Sequence, residues 1–205
     1  DATVTNAKLG TDVISGETDI GGALADADLV LVDDGAGGTL RKSAMSRIKT
    51  YVGSGLSEVD SWRFHTDVTT EGYITTNWER DDHALFGKPG TGMTESSGVF
   101  TFPSTGFWYL TFTACYTCSS GTEYAQSYIY GTGDNSNYTS MSQAHDRIET
   151  TTKQTNVPCS NIIDVTDTAN VKVKFYWAGA GSNLTLKGAS GENRTWVQFL
   201  RLGDT

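Results

Sequence analysis

Three features of the sequence predict an all-β fold for residues 60–205, an antiparallel β-sandwich. Short segments rich in Thr, Val, Ile and aromatic residues recur about every ten residues, separated by Gly, Ser, Asn and Asp. Only three prolines occur in the chain, and this region shows no helical periodicity. We therefore expect a domain built from strands, preceded by a different unit at residues 1–59.

Residues 1–59 are predicted to form a small stalk or connector with a hairpin and a helix. The apolar run 29–32 indicates a strand, and residues 39–42 resume after a Gly-rich turn. Ser43 is a candidate N-cap for a helix over residues 44–52, whose apolar side chains share one face. Because so few apolar residues cannot form an independent core, we expect identical copies of the unit to bury that face together.

The run from Phe107 to Thr117 predicts a strand with two apolar faces. Side chains alternate across a strand, so Trp108, Leu110 and Phe112 lie on one face, while Phe107 and Tyr109 lie on the other. A sandwich strand needs only one apolar face. The second face is therefore expected to be covered, either by a neighbouring subunit or by a loop of the same chain.

Composition and charge exclude several classes of function. The chain has a net charge of −9 and contains no basic cluster larger than Arg41–Lys42, whereas binding to nucleic acid requires concentrated positive charge. No apolar run approaches the roughly 20 residues of a membrane-spanning helix. The sequence therefore predicts neither a nucleic-acid partner nor insertion into a membrane.

No motif in the sequence predicts an enzyme, a metal site or a cofactor. His65, His83 and His145 lack the spacing of metal ligands, and no nucleophile motif of hydrolases occurs. Asp81 and Asp82 could be considered a carboxylate pair for sugar hydrolysis, but adjacent strand residues point to opposite faces. A solvated loop is the favoured interpretation of that pair.

Three segments resemble a known family in order and spacing. Gly98-Val-Phe-Thr-Phe-Pro103, Gly106-Phe-Trp-Tyr-Leu-Thr-Phe112 and Trp196-Val-Gln-Phe-Leu200 are similar to the globular heads of complement C1q and its tumour-necrosis-factor-like relatives. The resemblance covers residues 60–205 and implies a ten-stranded jelly roll that assembles as a homotrimer. It also implies that one side of two strands faces the threefold axis, with Phe107, Tyr109, Thr111, Trp196 and Leu200 at the trimer interface.

The resemblance also bears on the three cysteines. In the implied topology the strand ending at Cys118 and the strand beginning near Cys159 are antiparallel neighbours at the same end of the sandwich. Both thiols then face the core, while Cys115 faces the axis. The expected alternatives are a Cys118–Cys159 disulfide or three buried free thiols.

The same topology predicts where a receptor would bind. Both ends of the domain lie at one end of the head, so the loops at the far end are 119–123, 148–156 and 178–193. The last is the longest, is rich in Gly, Ser and Asn, and contains a candidate short strand at 184–186. Such residues favour adaptable hydrogen bonding in binding loops; they could also merely close turns. The candidate receptor-binding residues are Ser182, Asn183, Lys187, Ser190, Glu192 and Asn193.

The N-terminal residues carry a second resemblance. Val4-Thr-Asn-Ala-Lys-Leu9, residues 26–34 and Thr39-Leu-Arg-Lys42 are similar to the short repeats of phage tail fibres. Joined to a jelly-roll head, they imply the distal trimeric tip of a phage or virus-like fibre, extracellular on the virion, that binds a bacterial cell-surface glycan or protein. Two alternatives remain: a structural or adhesive trimer of a virion or secreted protein, and a polysaccharide depolymerase.

Overall fold

The computed structural model describes residues 21–33, 40–52, 55–121, 123–149, 154–179 and 183–205. The chain divides into two compact units, which meet in sequence between residues 54 and 55. Within the described residues, no helix is long and apolar enough to cross a membrane.

The N-terminal unit contains the predicted hairpin and helix. Strands β1 (Leu29–Asp33) and β2 (Leu40–Ala44) pair antiparallel, and helix α1 (Met45–Val52) follows β2 directly. The prediction of Ser43 as an N-cap is wrong, because Ser43 lies in β2 opposite Val30. The apolar side chains of this unit are largely exposed, with Leu31 at 77% and Tyr51 at 93%, as expected of a unit that has no core of its own.

The C-terminal unit consists of two antiparallel sheets, as predicted for residues 60–205. Sheet I has the order β10–β9–β12–β7–β6, with β4 also paired to β12. Its strands are β4 (Gly72–Tyr73), β6 (Thr94–Ser96), β7 (Val99–Thr101), β9 (Glu123–Thr132), β10 (Thr139–Ile148) and β12 (Lys172–Gly179).

Sheet II has the order β11–β8–β14–β3–β5, with β13 also paired to β8. Its strands are β3 (Val59–Phe64), β5 (Trp78–Arg80), β8 (Gly106–Cys118), β11 (Gln154–Val165), β13 (Leu184–Leu186) and β14 (Trp196–Gly203). Val59 at the start of β3 pairs with Leu200 near the end of β14. The chain therefore enters and leaves the domain at the same end, which we call the base; the opposite end is the apex.

The core lies between the inner faces of the two sheets and is rich in aromatic rings. Phe112 from sheet II lies 4.9 Å, centroid to centroid, from Phe175 of sheet I, and Phe199 lies 5.3 Å from Phe100. Trp108, Leu110 and Phe112 are fully buried, which confirms the face predicted for them. These rings contribute most of the burial that holds the sheets together.

Two glycines of the sequence motif have steric reasons for their positions. Gly98 has a φ of +78°, and a Cβ there would lie 2.2 Å from the carbonyl oxygen of Ile74. Gly106 has a φ of +131°, and its Cβ would lie 2.3 Å from the carbonyl oxygen of Gly203. Only glycine fits such close backbone approaches at positive φ.

Candidate assembly and receptor-binding surfaces

The outer face of sheet II gathers the residues predicted for a subunit interface. Strand β8 pairs with β14 so that Tyr109 lies opposite Leu200 and Thr113 lies opposite Trp196. Alternation along β8 then places every second residue on this same side. The predicted set lies together here: Phe107, Tyr109, Thr111, Trp196 and Leu200.

The part of this face near the base is apolar and open. Ile162 of β11 lies opposite Tyr109 and is 57% exposed, and Phe107 is 41% exposed. Tyr109 and the residue opposite it on β14, Leu200, are half-buried. This face near the base thus exposes adjacent large apolar side chains, the kind of surface that marks an interaction site.

The part of the same face near the apex is covered by the chain itself. We call residues 187–195 the side loop. Both ends of this loop are hydrogen-bonded to the backbone of the same β8 residue, Cys115. Lys187 donates its backbone N–H to the carbonyl of Cys115 at 2.8 Å, and Cys115 donates its own to the hydroxyl of Thr195 at 3.0 Å. Beneath this loop Cys115 is 4% exposed and Thr113 is 8% exposed. A loop of the same chain, one of the two predicted alternatives, therefore covers the half of this face near the apex, and the half near the base stays open.

A buried arginine joins the side loop to the edge of sheet II. Arg63 is 2% exposed and pairs with Glu79 at 3.0 Å, Asp81 at 3.2 Å and Asp82. Asp81 also accepts a hydrogen bond from the Nδ2 of Asn193 at 2.9 Å. A buried charge is tolerated only when it is paired and hydrogen-bonded in this way, so the cluster fixes the side loop in place.

The same cluster bears on the Asp81–Asp82 pair as candidate hydrolytic residues. The hydrogen bond from Arg63 lowers the pKa of Asp82. A general acid for glycoside cleavage needs a raised pKa. Asp82 therefore does not suit the role of general acid, and both carboxylates pair with Arg63.

At the apex lie the ends of β8, β10 and β12, with the described residues 119–121 and 183 next to them. Ser119 donates its backbone N–H to the carbonyl of Asn183 at 2.9 Å, which ties these two segments together. Tyr124, the second residue of β9, is 48% exposed beside them. Of the predicted receptor-binding residues, Asn183 lies at the apex, and Ser182 lies outside the described residues.

The other four candidates lie in the side loop, beyond the short strand β13 that divides the predicted loop 178–193 in two. Leu184 and Leu186 are buried in the core and form β13, which pairs with the last residues of β8. This pairing returns the chain to sheet II before Lys187, Ser190, Glu192 and Asn193. The predicted short strand at 184–186 is confirmed.

The side-loop candidates are partly engaged by their own chain. Lys187 forms an ion pair with Asp67, which also accepts the backbone N–H of Gly188 at 2.8 Å. Although burial opposes it, the hydrogen bond from Lys187 helps to lower the pKa of Asp67. Glu192 pairs with Arg194 at 2.6 Å. Ser190, the remaining candidate of the side loop, is exposed.

Of the two alternatives for the cysteines, the structure shows three buried free thiols and no Cys118–Cys159 disulfide. The prediction that these two residues lie at the same end of neighbouring strands is wrong. Cys159 lies opposite Phe112 in the β8–β11 register. It is thus six residues along β8 from Cys118, or about 20 Å at roughly 3.3 Å per residue. A disulfide requires Cα atoms within about 7 Å. Both thiols do face the core, as predicted, and burial raises the pKa of Cys159 to about 11.

A cleft of about 470 Å³ lies at the edge of the sandwich between residues 67–76 and Trp177. Its lining includes four threonines and the carboxylates of Asp67 and Glu71. Each carboxylate already accepts a backbone N–H, from Gly188 and Gly179 respectively. Across the described part of the chain, no group of three or more His, Cys, Asp or Glu side chains could hold a metal ion.

Comparison with solved structures shows that the fold is a tumour-necrosis-factor-like jelly roll. The chain is similar to the Eiger TNF of S. frugiperda, with a TM-score of 0.52 and 14% identity over 74% of this chain and 96% of that one. It is also similar to murine APRIL, with a TM-score of 0.51 and 10% identity over 71% and 98%. No protein-family model and no curated protein matches the chain.

Proposed function

We propose that the chain is the distal head of a phage or virus-like tail fibre, that it assembles as a homotrimer, and that it binds a cell-surface receptor without catalysing a reaction. The observation that carries this proposal is the open apolar half of the outer face of sheet II. We assign self-association to this face. Receptor recognition is then left to other surfaces of the head.

Self-association explains why large apolar side chains are exposed there. Phe107, Ile162 and their half-buried neighbours Tyr109 and Leu200 lie on adjacent strands. In a trimer, each copy buries this face against the other two around the axis. Closed symmetry repeats the same contact between every pair of neighbouring subunits. Copies of the N-terminal unit likewise bury their exposed apolar side chains on one another.

The positions of the chain ends support a recognition role for the apex. Because β3 starts and β14 ends at the base, a stalk that joins the domain there leaves the apical turns farthest from it. Loops on a rigid scaffold commonly carry binding functions. The resemblance of the N-terminal residues to tail-fibre repeats supports a viral fibre as the setting.

Two measurements test the proposal. Light scattering on the purified chain is expected to report three times the 22.1 kDa of one subunit, and a monomer would overturn the assembly. The labelled head is expected to bind whole cells of a susceptible bacterium. A trimer that binds no cells would instead favour a structural role, and release of reducing ends from host polysaccharide would indicate a depolymerase.

A further inference from the structure

The outer face of sheet I carries a row of side chains that crosses four strands, and three of these strands contribute tyrosines. In the register, Gln143 of β10 lies opposite Tyr128 of β9, Tyr128 lies opposite Tyr176 of β12, and Tyr176 lies opposite Tyr73 of β4. The next outward position of β9, Tyr130, lies opposite Lys174. Residues from four separate strands thus meet on one surface.

The rings of this surface contact one another. Tyr73 lies 5.1 Å from Tyr176 and 5.3 Å from Tyr130, and Tyr128 lies 5.6 Å from Tyr176, all measured between ring centroids. Tyr138 completes the group across Lys174. We call these five tyrosines, with Lys174, the tyrosine platform; it contains five of the nine tyrosines of the chain, so it is not a chance scatter of exposed rings.

Lys174 is held over the platform by its rings. Its ammonium nitrogen lies 3.9 Å from the ring centroid of Tyr138 and 5.6 Å from that of Tyr73. These are cation–π distances. Among the described residues, no carboxylate forms an ion pair with Lys174. Its N–H donors are therefore available to an acceptor that is not part of this chain.

The outward positions of this face carry basic side chains and no acidic ones, although the chain as a whole is acidic. The outward positions of β9, β10 and β12 include His145, Arg147, Lys172 and Lys174 and no Asp or Glu, whereas the chain carries a net charge of −9. Three carboxylates lie at the margins: Asp134 beside Tyr138, Glu71 beside Tyr176, and Glu149, which pairs with Arg147 at 3.4 Å. Asp134 and Glu71 accept backbone N–H groups, of Ser136 and Gly179 respectively, and Lys174 lies at the centre of the platform rather than at these margins.

We propose that the tyrosine platform binds an anionic saccharide, a sugar that bears a carboxylate or phosphate. Its apolar ring faces pack on the tyrosines, its hydroxyls exchange hydrogen bonds with the phenols and Gln143, and its anionic group pairs with Lys174. Tyrosine suits such a site because it combines a rigid apolar ring with a polar tip. This inference rests on the proposed function and specifies the receptor class as an acidic cell-surface glycan.

The platform remains accessible in the proposed trimer. Sheet I faces away from sheet II, whose outer face is the one that self-association would cover. Tyr73 is 44% exposed, and the other rings of the crossing row are half-buried. The site is therefore on the flank of the head, distinct from the apical turns.

The test is a glycan array that displays uronate, sialate and phosphorylated saccharides beside their neutral parents. The parent head is expected to bind acidic members at least about tenfold more strongly than their neutral matches at low salt, because a charge-assisted hydrogen bond is the stronger kind. Binding is expected to weaken as salt rises. Equal binding of acidic and neutral members, or no binding to any member, would overturn the proposal.

Four variants localise the site. Lys174→Gln is expected to reduce acidic binding about tenfold and to leave neutral binding unchanged, while Lys174→Arg retains most of it. Tyr73→Ala is expected to abolish both, and because Tyr73 lies in a two-residue strand, thermal unfolding should confirm that the fold persists. Tyr51→Ala removes an exposed tyrosine of helix α1; it is the control and should bind as the parent does.

Whole-cell binding separates this proposal from the function on which it rests. If the parent binds cells and Tyr73→Ala binds them equally well, the platform is not the receptor site and the fibre-head function stands. If Tyr124→Ala loses cell binding instead, recognition lies at the apex. If acidic saccharides bind the platform but no cells bind the head, the site stands and the proposed function fails.

Discussion

Trp108 and Tyr109 are neighbours on β8, but they point to opposite faces of sheet II, so their substitutions should have opposite consequences. Trp108 is fully buried, and its indole N–H donates to the carbonyl of Ser104 at 3.1 Å. Trp108→Ala is expected to cost about 3–5 kcal/mol through the cavity it leaves. That is a large part of the roughly 5–15 kcal/mol that stabilises a domain.

Tyr109→Asp should instead leave the subunit folded and prevent its assembly. A half-exposed surface position tolerates substitution within about 1 kcal/mol. In a trimer, however, each copy loses about 1–2 kcal/mol of ring burial and must desolvate an unpaired charge at a cost of several kcal/mol. Over three copies the loss exceeds about 10 kcal/mol, and every 1.4 kcal/mol is about tenfold in the association constant.

Urea unfolding and light scattering together give the readout for this pair. The expected result is a trimeric but destabilised Trp108→Ala protein and a monomeric Tyr109→Asp protein of near-parental subunit stability, with Tyr109→Phe as the conservative control. The reasoning would be refuted by a Tyr109→Asp trimer, or by a Trp108→Ala protein as stable as the parent.

Two further predictions concern buried polar groups. Asp60 is fully buried, accepts the backbone N–H of Met93 at 2.7 Å and pairs with Arg80, so Asp60→Ala should lower the free energy of unfolding by about 3–5 kcal/mol. Asp204 also pairs with an arginine, Arg201, but its own side chain is 91% exposed, so Asp204→Ala should change that free energy by less than about 1 kcal/mol. Equal effects in urea titrations would contradict this. Burial raises the pKa of Cys159 from 9.0 to about 11 and that of Tyr116 well above its usual value. The unfolded chain then loses these protons first, so stability is complete below about pH 9 and falls as the pH rises, by about 2 kcal/mol for Cys159 at pH 11. Cys159→Ala should flatten that dependence between pH 9 and 11, and an unchanged slope would count against it.

Features that depend on alternation or on backbone sterics were predictable from the sequence. The two faces of β8 follow from side-chain alternation alone, because a strand allows only one arrangement of odd and even residues. The motif glycines Gly98 and Gly106 occupy positive-φ positions next to backbone carbonyls, so no other residue could have maintained the pattern. The hairpin of β1 and β2 follows from a Gly-rich turn between the apolar run 29–32 and residues 39–42.

Features that depend on non-local pairing were not predictable in the same way. The disulfide prediction required the register of β8 against β11, and a shift of six residues separates Cys159 from Cys118. The position of the side loop depends on the pairing of β13 with β8, which buries Leu184 and Leu186. The sequence predicts the short strand but not the strand with which it pairs. In both cases the deciding contacts join residues that are distant in sequence.

The sequence reasoning missed both the buried Arg63 cluster and the tyrosine platform. Arg63 is surrounded by carboxylates from the strand beside it and from the residues that follow that strand, a pairing that composition does not reveal. A partial signal for the platform was present, since Tyr128 and Tyr130 of β9 and Lys174 and Tyr176 of β12 alternate with core residues. Only the strand order brings these two pairs together with Tyr73.

The two outer faces of the sandwich predict that assembly and saccharide binding can be separated experimentally. Tyr109 lies on sheet II and the platform on sheet I, with the core between them and sheets packed about 10 Å apart. The monomeric Tyr109→Asp head should therefore bind a soluble acidic saccharide with the affinity of the parent. On a cell or a densely coated array, however, a trimer engages three sites at once, and such multivalency strengthens binding by about 10²–10⁴. The monomer should lose that factor on surfaces and nothing in solution; a tenfold loss of affinity for the soluble saccharide would mean that the platform depends on the subunit interface and that the two faces do not act independently.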